Sequence, residues 1–174
     1  MEAQAAQPQA KEPDSVKHTI SALVANRTGV LADMAEEFKK HGLNIQSISC
    51  GETEKHGVSR MVICLEAPDE AMDDITASVA KMDFVIQVDD LARKEFVDRE
   101  LVLMKIERTS ENLSQLMQIL EVFRASVVGM GEKSITVELS GDSERVEGLM
   151  RMLEPFGILS MARTGKIALK RGDE

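Results

Sequence analysis

Apolar side chains along this chain recur first at every second position and then at helical spacing, and that alternation repeats. Residues 18–25 (HTISALVA) put Ile20, Ala22 and Val24 on one face and predict a strand. Asn26-Arg27-Thr28-Gly29 follows as a turn, rich in residues that tolerate unusual backbone angles or cap helices. Val30, Leu31, Met34, Ala35 and Phe38 then fall at i, i+1, i+4, i+5 and i+8, a single stripe of an amphipathic helix. His41-Gly42 ends it, glycine supplying the left-handed conformation common just past a helix C-terminus. Residues 44–49 (NIQSIS) predict a second strand, 51–57 a polar hairpin connection and 59–66 (SRMVICLE) a third strand that pairs antiparallel with the second. A helix over 69–82, with the stripe Met72, Ile75, Val79 and Met82, and a strand over 84–91 complete a βαββαβ order.

The same order recurs after a charged link at 92–98. Residues 101–107 predict a strand, Leu113, Leu116, Met117, Leu120 and Phe123 a helical stripe, and 126–130 and 134–139 a strand pair around Gly131. Val146, Leu149, Met150 and Leu153 mark a second helix stopped near Pro155 and Gly157, and 158–170 is a last extended segment bent or bulged at Gly165. The fold class is therefore α+β, two tandem ferredoxin-like βαββαβ units in which helices cover one face of an antiparallel sheet. The expected division is a tail over 1–15, a first unit over 16–91, the link over 92–98 and a second unit over 99–174. The tail holds Ala, Gln, Pro and charge without apolar period, too little to offset the entropy of ordering, and is expected to be disordered.

Composition narrows the partners. The formal net charge of −9 opposes sustained contact with phosphate backbones or anionic lipid, so nucleic acid and membrane are set aside. No apolar run is long enough to span a bilayer, and the N-terminus lacks the pattern of a signal peptide, so the expected location is the cytoplasm. The core must be built from aliphatic side chains and methionine, since there is no Trp or Tyr and only five Phe against eleven Met.

Candidate chemistry is sparse. Cys50 and Cys64 lack metal or redox spacing and read as small buried hydrophobes, while His18, His41 and His56 read as solvated or capping residues. Asp73-Asp74 and Asp89-Asp90 read as solvent-exposed. Glu52, Glu54 and Lys55 have no nucleophile and base at workable spacing, and Thr164-Gly165-Lys166 fails as a phosphate loop because Ser160 stands where the first glycine belongs. These patterns point to a non-catalytic chain. The feature suited to a ligand is the helix start Thr28-Gly29-Val30-Leu31, whose unpaired N–H groups and positive dipole end can hold a carboxylate. Gly29 serves either that approach or simply the turn, and Asn44 either offers its amide oxygen to an ammonium group or caps a loop. The second unit has Arg108-Thr109-Ser110-Glu111 at the equivalent place, with no glycine.

Residues 24–31 (VANRTGVL), followed by 42–45 (GLNI) and 57–61 (GVSRM), resemble the ACT domain of acetohydroxyacid (acetolactate) synthase small regulatory subunits. The N-x-x-G-V-L turn is general to ACT domains; its combination with G-L-N-I-x-S-I and T-E-x-x-G-x-S-R-M is similar to this one branch. Residues 99–106 (RELVLMKI) resemble the start of that family's C-terminal domain, and the likeness spans roughly 16–172, the long tail and Lys55-His56 departing from it. The resemblance implies an ACT homodimer binding valine, or another branched-chain amino acid, between the turn of one subunit and the second strand of its neighbour. Carried onto this chain, the effector residues are Asn26, Thr28, Gly29, Val30 and Leu31 with Asn44 and Ile45. It further implies activation and feedback inhibition of a large catalytic subunit, which carries thiamine diphosphate, magnesium and FAD, none of which needs a site here. A stand-alone ACT-type amino-acid sensor of a different enzyme, and a small enzyme on a ferredoxin-like fold, are the other readings.

Overall fold

A computed structural model describes residues 15–172. The first unit runs β1 (Val16–Ala25), α1 (Val30–Lys40), β2 (Ile45–Glu52), β3 (Val58–Ala67), α2 (Asp69–Val79) and β4 (Val85–Asp90). After a short 3-10 turn, Leu91–Arg93, the second runs β5 (Phe96–Glu107), α3 (Leu113–Phe123), β6 (Ser126–Met130), β7 (Ser134–Gly141), α4 (Ser143–Leu153), β8 (Ile158–Arg163) and β9 (Ile167–Lys170). The sheet orders are β2-β3-β1-β4 and β6-β7-β5-β8, all antiparallel, so the two units share one plan. The α+β expectation of tandem ferredoxin-like units holds.

The period-two pattern of β1 becomes a core. Ile20, Ala22 and Val24 meet Met34 and Phe38 of α1, Ile63 and Leu65 of β3, and Ile75 and Val79 of α2, all buried. In the second unit Val102, Met104 and Ile106 of β5 do the same with Leu116 and Leu120 of α3 and Val146 and Leu149 of α4. Each buried Val, Leu, Ile, Phe or Met among them contributes on the order of 1.5–3 kcal/mol on leaving water.

The opposite face of the first sheet is where expectation and structure part. Strand β5 is longer than its pattern indicates: Phe96–Arg99 pairs with β9, while Val102–Ile106 pairs with β8. Residues 96–98, read as link, are thus strand, because a partner some seventy positions away supplies the hydrogen bonds. This two-stranded β5–β9 ribbon lies on the first unit, where Ala168 and Phe96 pack with Val62 and Leu91. Thr19, Ser21 and Cys64, on the face that period alone leaves to solvent, are buried as well.

Other corrections follow from the same packing. Cys64 is buried as expected but Cys50, on edge strand β2, is exposed. His18 is buried, not solvated: its Nδ1 lies 3.0 Å from Asp90 and its Nε2 3.4 Å from Asp69. Asp89 and Asp90 are largely covered, since Lys94 at 2.7 Å and Lys170 of β9 at 3.1 Å meet Asp89 and His18 meets Asp90. His41 does cap α1, and the chain does bend at Gly165, which takes φ +76° between β8 and β9. The expected tail falls outside the described residues, except Ser15.

Candidate functional site

The turn from β1 into α1 is fixed from both flanks. Asn26 donates its backbone N–H to the Gly57 carbonyl over 2.8 Å and its side-chain amide to Glu52 over 3.1 Å. Arg27 reaches Asp83 with Nη2 at 2.8 and 3.0 Å and lies over the Phe84 ring. Gly29 then occupies the N-cap with φ +94°, a backbone that L side chains adopt only under strain, and its carbonyl accepts from Asp33 N–H over 2.9 Å. No side chain caps α1, so the N–H groups of Val30 and Leu31, which have no partner within the helix, face outward with the positive dipole end. The equivalent turn of the second unit has no glycine and is held by its own side chains, Thr109 N–H donating to the Asn112 side chain over 2.9 Å and Asn112 N–H to the Thr109 hydroxyl over 3.1 Å, although α3 has no side-chain cap either.

The expected site residues separate into two places. Asn26, Thr28, Gly29 and Leu31 are exposed at the start of α1. Val30 turns its side chain into the core, 3% exposed, because it opens the helical stripe. Asn44 and Ile45 lie past the other end of α1, in a groove of about 430 Å³ shared with Ala35, Lys39, Gly42 and Leu43. Asn44 stands just before β2 rather than inside it, and Ile45 is partly buried against the core. An 11-residue helix separates the two groups by about 16 Å. One chain by itself does not bring them together.

Comparison with known proteins bears on the whole chain. Residues 99–172 match the family model described as the small subunit of acetolactate synthase, and 20–87 the one described as the AHAS small subunit-like ACT domain. The probable acetolactate synthase small subunit of Methanothermobacter thermautotrophicus is 40% identical over 162 residues, 92% of this chain and 95% of that protein. This chain belongs to the acetolactate synthase small subunit family. The acetolactate synthase small subunit of Mycolicibacterium smegmatis is 37% identical, covering 89% of this chain and 91% of that one. The crystal structure of the small subunit from Thermotoga maritima superposes with a TM-score of 0.80 at 30% identity, covering 91% of this chain and 99% of that chain.

This member of the small-subunit family has a second concave feature that sequence reading missed. A cleft of about 370 Å³ opens between the units, walled by Lys17, Ser47, Glu100, Glu147, Arg163 and Lys166. Glu100 is 95% buried because it shares the inward phase of Val102, Met104 and Ile106; a carboxylate in the apolar register of a strand was the available signal. Arg163 satisfies it from β8, and that hydrogen-bonded carboxylate holds the guanidinium above its ordinary pKa despite partial burial. Lys17 faces Glu147 at 3.2 Å and Lys166 faces Asp98 at 3.8 Å, so each cation of the cleft has a carboxylate. Among the described residues no group of His, Cys, Asp and Glu is arranged to hold a metal ion, and no helix is long and apolar enough to cross a membrane.

Proposed function

We propose that this chain is the regulatory subunit of an acetolactate synthase in branched-chain amino-acid biosynthesis, without catalysis of its own. It binds a branched-chain amino acid, valine first among the candidates, and couples that binding to a separate catalytic subunit. The observation that carries the reading is the uncapped, glycine-opened start of α1 in a chain whose small-subunit likeness runs through both units. An amino-acid carboxylate takes the N–H groups after Gly29, the ammonium takes the Asn44 amide oxygen, and the branched side chain lies between Leu31 and Ile45. Val30 contributes its N–H, its side chain being committed to the core. The large partner holds thiamine diphosphate, magnesium and FAD, and the assembly works in the cytoplasm.

Because α1 separates Gly29 from Asn44, the site is completed across a homodimer, the turn of one subunit meeting β2 of the next. Strand β2 is an edge of the first sheet, with unpaired backbone groups along its outer side. Light scattering should give a dimer at micromolar concentration; a strict monomer with and without valine would remove the shared site. Residues 16–91 form the effector and dimerisation domain, 99–174 the C-terminal domain and 92–98 the join between them.

The deciding experiment is synthase activity of the reconstituted complex across a valine titration. Gly29→Asp sets a carboxylate where the ligand carboxylate belongs, and Asn44→Ala removes the ammonium partner. Both variants should still activate the catalytic subunit and lose valine inhibition. Inhibition equal to the parent in both puts the site elsewhere. A chain that activates no thiamine-dependent subunit but still binds valine is a sensor for some other enzyme.

A further inference from the structure

Strand β2, which starts at the proposed effector residue Ile45 directly after Asn44, is touched two to four positions later by the second unit. Ser49 Oγ donates to the Lys166 carbonyl over 2.5 Å, joining β2 to the bend between β8 and β9. The next residue back, Gly165, is buried against the same strand. A Cβ at that position would stand 3.3 Å from Ser47 Cβ and 3.6 Å from the Ile48 carbonyl. The bend is therefore seated closely on β2, where a side chain would push Ser47 aside by a few tenths of an ångström, in a conformation, φ +76°, that favours glycine for a second, independent reason.

Between the effector residues and this seat the β2–β3 ladder is irregular: the register shifts between Ile45 and Ser47. A bulge is where a strand changes direction most readily, and within one chain β2 is an edge strand. On the far side of the seat the bend is tied to β5 and α4. Thr164 N–H donates to the Leu101 carbonyl and Leu101 N–H to the Thr164 hydroxyl, each over 3.1 Å. Lys166 Nζ stands 3.8 Å from Asp98, whose carboxylate accepts from Ser143 N–H and Oγ at the start of α4. A movement of β2 thus has a path into β5 through hydrogen bonds and into α4 through the Lys166–Asp98 ion pair, and an irregular stretch of ladder on its ligand side.

We infer that the seat of Thr164-Gly165-Lys166 on Ser47 to Ser49 is the relay by which amino-acid binding at β2 reaches the second unit, with Ser49 and Gly165 as its positioning residues. The inference rests on the effector site proposed above. Binding and response are then separable by changes that touch no ligand.

Calorimetry of L-valine on the full chain and a valine titration of the reconstituted synthase test it together. Ser49→Ala should bind valine within about twofold of the parent, while the concentration for half inhibition rises about fivefold or more, the lower end of ordinary coupling between sites. Ser49→Thr, which keeps a hydroxyl, should restore the parent response. Gly165→Ala should act as Ser49→Ala does, and the serine variant stands alone if the alanine at 165 does not fold. Parent-like inhibition in Ser49→Ala overturns the relay. So does a loss of inhibition that tracks a loss of valine binding, since the seat would then belong to the binding site. If the parent itself binds no valine, the effector reading falls first, and the calorimetric arm alone reveals it.

Discussion

Arg163 closes a two-point ion pair on Glu100, Nε and Nη2 donating to the two carboxylate oxygens over 2.7 and 2.6 Å. The carboxylate side chain is 4% exposed and the guanidinium 35%, so deleting the arginine strands a charge that water can only partly reach. Breaking a buried pair costs about 3–5 kcal/mol, and the partial exposure of Arg163 brings the expected loss for Arg163→Ala to roughly 2 kcal/mol. Urea unfolding of the full chain measures it. Glu100→Gln should cost less, because the neutral amide is cheaper to leave in place.

Acid should loosen β9 from the first unit. Burial raises the pKa of Asp89, but hydrogen bonds from Lys94, Gln87 and Lys170 outweigh it and leave the net value below the ordinary one. A carboxylate depressed on folding contributes stability that is complete above its unfolded pKa of about 3.9 and is lost as pH falls through the folded value. Lys170 belongs to β9, so hydrogen exchange in Ile167–Lys170 should accelerate below about pH 4 more than in β7. Asp89→Asn should make β9 exchange fast already at neutral pH and flatten that acid response.

Gly29 can be probed without touching a ligand. The nearest atom to a Cβ there is an Asp33 carboxylate oxygen at 4.0 Å, so Gly29→Ala meets backbone strain rather than crowding. The expected cost is about 1–2 kcal/mol in thermal or chemical unfolding. Gly29→Asn should cost clearly less, since asparagine visits this region more readily. Equal losses for the two would mean that something other than φ sets the requirement.

The two cysteines should react differently. In dilute native protein one thiol, Cys50, should titrate promptly with an aromatic disulfide reagent, and Cys64 only in denaturant. Cys50 lies on edge strand β2, so pairing of β2 edges between subunits should slow its reaction as protein concentration rises.

Period carried the local structure and could not carry the tertiary cover. Ile20, Ala22 and Val24 announce their face through alternation, and Met34 and Phe38 theirs through helical spacing. Thr19, Ser21 and Cys64 are polar or small and sit on the other face, where Arg60 reaches Ser21 and a two-stranded ribbon of Phe96–Arg99 and Ile167–Lys170, remote in sequence, packs on Val62 and Leu91. His18 carries no sign of its burial in the sequence, because its partners Asp90 and Asp69 arrive from β4 and α2. At the site, the turn and its glycine were legible as a helix start, but the burial of Val30 and the position of Asn44 just outside β2 required the actual phase of each element.

Strand β5 belongs to two sheets at once, its first third paired with β9 over the first unit and its remainder inside the second. The apparent seam between the sequence repeats is therefore not a place where the protein can be cut cleanly. A fragment ending near Ala92 carries Val62 and Leu91 without Phe96 and Ala168 above them, leaving a greasy floor open to solvent. Its failure in an assay would then report stickiness as readily as a missing activity. A fragment meant to isolate the first repeat needs polar replacements at Val62 and Leu91, so that solubility and function are read apart.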